Sequence, residues 1–153
     1  MLADGTLGEL RSIARGLHPA TMEKLGLSAA LESMINEVDA NTSIFFTHEI
    51  ENIDGILSKE ASLHVYRIVQ EVLNNMVKHS EAKAASVTLG KEGDSIKAVI
   101  KDNGKGFDLS EKIYHSSSLG MKTLLERAKI IRSQLSIDSE KEKGTTILLL
   151  IPT

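Results

Sequence analysis

Between His64 and Ser80 the chain reads HVYRIVQEVLNNMVKHS, and no other stretch restricts the fold as much. On a helical wheel Val65, Tyr66, Val69, Val72, Leu73, Met76 and Val77 fill one broad face. Arg67, Glu71, Asn74, Asn75 and Lys78 follow at i, i+4, i+7, i+8 and i+11, an arc of about 100°. The spacing predicts an amphipathic helix with its apolar side in a core and one narrow polar stripe outside. Stripes that only meet water are usually rich in Lys and Glu, whereas this one ends in two amides and an amine. Glu71 and Asn75, one turn apart, offer oxygen ligands to a hard cation, and Lys78 offers a point charge to phosphate. The helix alone leaves both readings open, a solvated face or a magnesium–nucleotide site.

A helix of this kind needs a core to lie on, and 153 residues with 41% apolar content supply one domain's worth. With 3% aromatics and no Trp, that core is aliphatic. The absence of cysteine excludes disulfides, thiolate metal sites and a cysteine nucleophile, and suits a cytoplasmic setting. A net charge of −3 provides no basic footprint for nucleic acid. No apolar run approaches the roughly 20 residues that a membrane helix needs, and MLADG at the start has no signal-peptide pattern.

Along the chain, Thr6 to Lys24 has helical spacing, weakening before Pro19, because the residue ahead of a proline is pushed from the α region. Leu25-Gly26-Leu27 breaks it, and Ser28 is placed to cap a second helix, Ala29 to about Ala40. Thr42 to Ile50, TSIFFTHEI, reads as a strand with His48 on its wetter face. Turn-rich Asn52–Ser58 then enters the central helix. Ala85–Gly90 and Ser95–Lys101 alternate as strands, with Gly93-Asp94 as their hairpin. Leu109–Leu119 is polar, serine-rich and aperiodic, a long loop suited to a lid. Gly120 to Arg132 is a further amphipathic helix, and Leu135–Ser139 and Thr145–Ile151 are the last strands.

Three further pieces bear on chemistry. In DNGKGF the aspartate ends a strand beside glycines that let backbone come close, so its carboxylate can accept from an exocyclic amine such as adenine's. Ser118-Leu119-Gly120-Met121 opens a helix, whose free N–H groups and dipole favour phosphate. Gly144-Thr145-Thr146 brings hydroxyls to the start of the last strand. Singly, each is also an ordinary turn or helix start.

In this order the pieces resemble the ATP-binding fold shared by sensor histidine kinases, type II topoisomerases and heat-shock-90 chaperones. HVYRIVQEVLNNMVKHS is similar to the N box, DNGKGFD to the G1 box, SLGMKTLLERAKI to the G2 box and GTTILLLIP to the final strand. ARGLHPATMEKLGLSAAL resembles the end of the dimerisation region in the kinase subfamily of nitrate and lipid-fluidity sensors. The resemblance implies an α/β (α+β) two-layer sandwich, a mixed, largely antiparallel sheet with helices on one face. It implies residues 1–24 as the end of a dimerisation helix region, 25–153 as the catalytic domain and 109–119 as the ATP lid. ATP and Mg²⁺ are the implied cofactors.

Glu71 would then polarise or act as base near the γ-phosphate, Asn75 would ligate Mg²⁺ and Lys78 would contact phosphate, with Asn74 and His79 near the nucleotide. Asp102 would bind adenine, and Gly104, Gly106 and Phe107 would shape its pocket. Gly120 and Met121 would close the phosphate side, and Thr145 with Thr146 would complete the base contacts. The implied partners are a histidine-bearing dimerisation domain, a response regulator and a second copy in the full-length protein, on the cytoplasmic side. One element of the family pattern is missing. The phosphoaccepting histidine lies on an earlier helix, in a His-Asp or His-Glu pair. Here His64 and His79 are in the N box, His48 in a strand, His115 in the lid, and His18 before a proline. The chain therefore resembles a catalytic fragment. A serine kinase of the anti-sigma-factor type and a non-enzymatic nucleotide-binding module are the rival readings.

Overall fold

The computed structural model describes residues 19–107 and 119–153. Residues 6–18 of the helix expected from Thr6 to Lys24, and all of the expected lid but Leu119, lie outside the described residues. Helix α1 (Pro19–Leu25) begins on its proline, which loses nothing at a position where the N–H has no intrahelical partner. Gly26 separates it from α2 (Leu27–Asn41).

Ser28 does not cap α2, as its side chain lies inside the first turn and points the other way. Its hydroxyl donates to the Glu51 carbonyl at 3.2 Å and accepts from Ile53 N–H at 3.0 Å. Asp54, 26 residues downstream, takes over the cap by accepting from Ser28 N–H at 3.0 Å. At the other end Thr42 donates to the Val38 carbonyl at 2.8 Å and accepts from Ile44 N–H. Thr42–Ile44 thus finish a helix, and strand β1 starts late, at Phe45–Ile50.

Helix α3 (Lys59–Asn75) starts at Ser58, whose hydroxyl accepts from Ala61 N–H at 3.1 Å, with Glu60 favourably placed in the first turn. Its apolar face is buried as expected, and Ile68, outside that face on the wheel, is 1% exposed as well. The reason is that α3 packs between α2 and α4 (Leu119–Ile130) while lying on the sheet. After Asn75 the helix widens into a π-helical turn, Met76–Ser80.

Strands β2 (Ala84–Glu92), β3 (Ser95–Asp102), β4 (Gln134–Ser139) and β5 (Thr145–Pro152) complete a five-stranded sheet of order β1-β2-β3-β5-β4. Only β1 and β2 are parallel, and α3 supplies the crossover that such a pair requires. The other pairs are antiparallel. Along β2 and β3, Ala85, Val87, Leu89, Ile96, Ala98 and Ile100 are buried on the helix-covered side. Ser86, Thr88, Lys97 and Lys101 alternate onto the other side. His48 shares the side of buried Phe46 and is half-buried, because Thr47 and Glu49 take the outward positions. It is not on the wetter face. Each aliphatic side chain enclosed between these layers contributes about 1.5–3 kcal/mol, which holds α3 against the sheet. This is the expected mixed two-layer sandwich.

Candidate functional site

The π-helical turn ends beside the loop that follows β3, and an open cavity of about 250 Å³ lies between them. Asn75, Met76, His79 and Ser80 form one wall, Lys105 to Phe107 another, Met121 and Leu124 a third. Ile100, Asp102, Ile137, Thr145 and Ile147 form the sheet floor. The volume falls just short of the roughly 300–1,000 Å³ typical of sites for drug-sized ligands. It suits a flat heterocycle held inside with the remainder of the ligand at the mouth.

The DNGKGF segment is fixed residue by residue. Asn103 Oδ1 accepts from Lys83 and Ala84 N–H, both at 2.9 Å, so the loop is tied to the start of β2. Lys105 N–H donates to the Ser80 carbonyl at 2.7 Å, and the Lys105 carbonyl accepts from Glu142 N–H. A side chain at Gly104 would collide with that same Ser80 carbonyl, so only glycine lets the two backbones meet there. Gly106 combines φ of 59° with a close approach to the Glu140 carbonyl. Phe107 N–H donates to Ser139 Oγ at 2.9 Å.

Asp102 is half-buried at the floor, and its Oδ1 accepts from Gly104 N–H at 2.8 Å. Burial lifts its carboxyl above the ordinary value of 3.8, opposed by backbone hydrogen bonds from Gly104 and Thr145. It is therefore a desolvated acceptor aimed into an apolar cavity, the environment in which one hydrogen bond to an amine discriminates strongly.

The cavity brings together Asn75, His79, Asp102, Gly106, Phe107, Met121 and Thr145. Gly104 lies behind its wall. Glu71 is half-buried one turn before Asn75, and Asn74 is half-buried beside it, neither on the cavity surface. Lys78 is exposed and off the wall, because the wider i→i+5 turn delays the rotation of the chain and presents His79 and Ser80 instead. Thr146 pairs with Lys101 and Asp138 on the opposite side of the sheet from Thr145. Gly120 lies in the first turn of α4.

Sequence reasoning missed Ser80, Lys105 and the apolar contributors Val72, Met76, Ile100, Leu124, Ile137 and Ile147. The apolar ones read as plain core. Lys105 had a usable signal, standing between the two glycines of a loop already suspected of binding.

Residues 60–153 match the family described as histidine kinase-, DNA gyrase B- and HSP90-like ATPase. The chain belongs to this family. Membership implies an ATP-binding domain. The chain is 31% identical over 150 residues to the sensor histidine kinase MctS of Rhizobium johnstonii and 32% identical over 151 residues to the sensor histidine kinase LiaS of Bacillus subtilis. These alignments take in 97% and 99% of the chain but 32% and 41% of those proteins, so it spans less than half the length of either. In fold it is similar to the histidine kinase domain of the blue-light activated histidine kinase of Erythrobacter litoralis. That likeness has a TM-score of 0.73 at 16% identity, over 82% of this chain and 64% of that one. The mycobacterial sensor histidine kinase MprB gives 0.64 at 21% identity, over 80% of this chain and 92% of that one. Among the described residues no helix is long and apolar enough to cross a membrane.

Proposed function

We propose that the chain is the catalytic domain of a sensor histidine kinase, which binds Mg-ATP and passes the γ-phosphate to a histidine of a dimerisation domain for relay to a response regulator. The observation that carries this reading is the meeting of Asp102 and Thr145 on the floor of one cavity with Asn75 on its wall. An acceptor for the base and an oxygen ligand for the cation then line one and the same space. Asp102 accepts from the adenine amine, and Ile100, Ile137 and Ile147 hold the ring against the sheet. His79, Lys105 and the start of α4 line the way out for the phosphates, with Lys78 beside His79 in the same π-helical turn.

The donor set fits magnesium. Mg²⁺ is usually bound through one or two carboxylates plus substrate phosphates rather than by a protein cage, and the Glu71 carboxylate stands one helical turn from the Asn75 amide oxygen. Asn75 would hold the ion, with Glu71 one turn away to polarise the attacking group. When bound, the ion supplies neutralisation of phosphate charge. The protein's own part is positioning, the larger share of catalysis in phosphoryl transfer. A homodimer of the full-length protein on the cytoplasmic side of the membrane belongs to the same proposal.

The test supplies a histidine-bearing dimerisation domain in trans with Mg-ATP. Acid-labile phosphohistidine is expected on that domain. Acid-stable phosphoserine on a partner would contradict the histidine-kinase reading.

A further inference from the structure

Ser139 does not touch the cavity, yet its hydroxyl joins three of the groups that shape it. It is 6% exposed at the end of β4. Oγ accepts from Phe107 N–H at 2.9 Å, lies 3.2 Å from the Gly144 carbonyl in donating geometry, and is 2.8 Å from Thr145 Oγ1. A serine hydroxyl has one proton and two acceptor sites. If its proton goes to the Gly144 carbonyl, the short contact to Thr145 must be donated by Thr145. That arrangement fills all three capacities of Ser139, and burial favours it because unmade hydrogen bonds are costly there.

The consequence falls on Thr145. Its single proton is committed backwards to Ser139, so only lone pairs remain for the cavity. Its direct cross-strand partner is Asp102, also an acceptor. The floor therefore presents two acceptors side by side, a pattern that matches the two N–H groups of an exocyclic amine and repels a carbonyl oxygen. The surroundings hold this junction still: Gly106 abuts the Glu140 carbonyl, Gly144 abuts the Asp102 carbonyl, and Glu142 N–H donates to the Lys105 carbonyl.

We infer that Ser139 is a positioning residue that fixes the Thr145 hydroxyl as an acceptor and so makes the cavity select a 6-amino over a 6-oxo purine. The inference rests on the reading that the base lies against Asp102 and Thr145. Without the Ser139 hydroxyl, Thr145 is free to turn and donate to a carbonyl oxygen, and a 6-oxo purine gains a partner it lacked.

The test titrates ATP and inosine triphosphate, its 6-oxo counterpart, into this chain and into Ser139→Ala, Ser139→Thr and Thr145→Val. The unsubstituted chain should prefer ATP. Ser139→Ala should narrow the ATP-to-inosine-triphosphate ratio by about tenfold, the worth of one hydrogen bond, while Ser139→Thr, which keeps the hydroxyl, retains the ratio. Equal weakening of both nucleotides in Ser139→Ala would mean that Ser139 acts only on stability, overturning the inference. Should Ser139→Ala not fold, Thr145→Val decides, since an unchanged ratio there overturns it equally. Equal affinity of the unsubstituted chain for both nucleotides overturns this inference alone, and binding of neither overturns the nucleotide-site reading beneath it.

Discussion

Asp102 and Thr145 stand directly opposite each other on β3 and β5, and both side chains open into the cavity. Cross-strand partners share a face of the sheet, so the register that builds the core also sets the acidic group and the hydroxyl next to each other. Asp102→Asn keeps the shape and an oxygen for Gly104 N–H but replaces the other acceptor with a donor. Losing a charge-assisted hydrogen bond of about 1.5–3 kcal/mol should weaken ATP roughly 10- to 100-fold. Calorimetric titration beside a thermal melt checks this, with affinity falling while the melting temperature holds.

The raised pKa of Asp102 gives stability and binding opposite pH dependences. Its folded value lies above 3.8, so between the unfolded and folded values the native state binds more protons than the unfolded one. The group's contribution to stability is complete below the unfolded value and is lost as pH rises through the folded one. Nucleotide affinity should move the other way, falling as acid protonates the acceptor. Melting temperatures and affinities from pH 7 downward, each compared with Asp102→Asn to subtract other titrating groups, measure both slopes.

Gly106→Ala should damage fold and site together. A non-glycine residue at φ of 59° costs about 1–2 kcal/mol, and the new Cβ would collide with the Glu140 carbonyl. A loss of at least about 2 kcal/mol in urea denaturation is expected, along with weaker ATP binding, because Phe107 hangs from the same segment.

Tyr66→Phe should do the reverse. Tyr66 is 0% exposed, and its hydroxyl has no hydrogen-bond partner among the described residues. An unsatisfied buried polar group costs about 1–3 kcal/mol, and the aromatic face toward Arg67, 5.9 Å from the ring centre, survives the change. Denaturation should show a gain of about 1 kcal/mol with ATP affinity unaltered.

Much of this architecture was legible because it rests on local periodicity. The apolar face of α3 and the alternation in β2 and β3 report burial directly, and Gly93-Asp94 marks their hairpin. What escaped depends on partners distant in the chain. Ser28 looks like a cap until Glu51 and Ile53 are seen to engage its hydroxyl, leaving the capping to Asp54. Thr42 looks like a strand residue until the end of α2 claims it. The π-helical turn has no composition of its own, so a plain α-helical wheel keeps Lys78 in the polar stripe that the structure ends at Asn75. Lys105 and Ser139 lay in segments read as turn and strand, and only the fold brings both to the cavity region.

The most direct measurement is calorimetric titration of a non-hydrolysable ATP analogue into this chain, with and without magnesium, and into Asn75→Asp. Micromolar or tighter binding that strengthens with magnesium, and a magnesium dependence altered in Asn75→Asp, is the predicted result. Absence of heat under every condition, from a chain that melts cooperatively, would contradict the claim that this cavity is a Mg-ATP site.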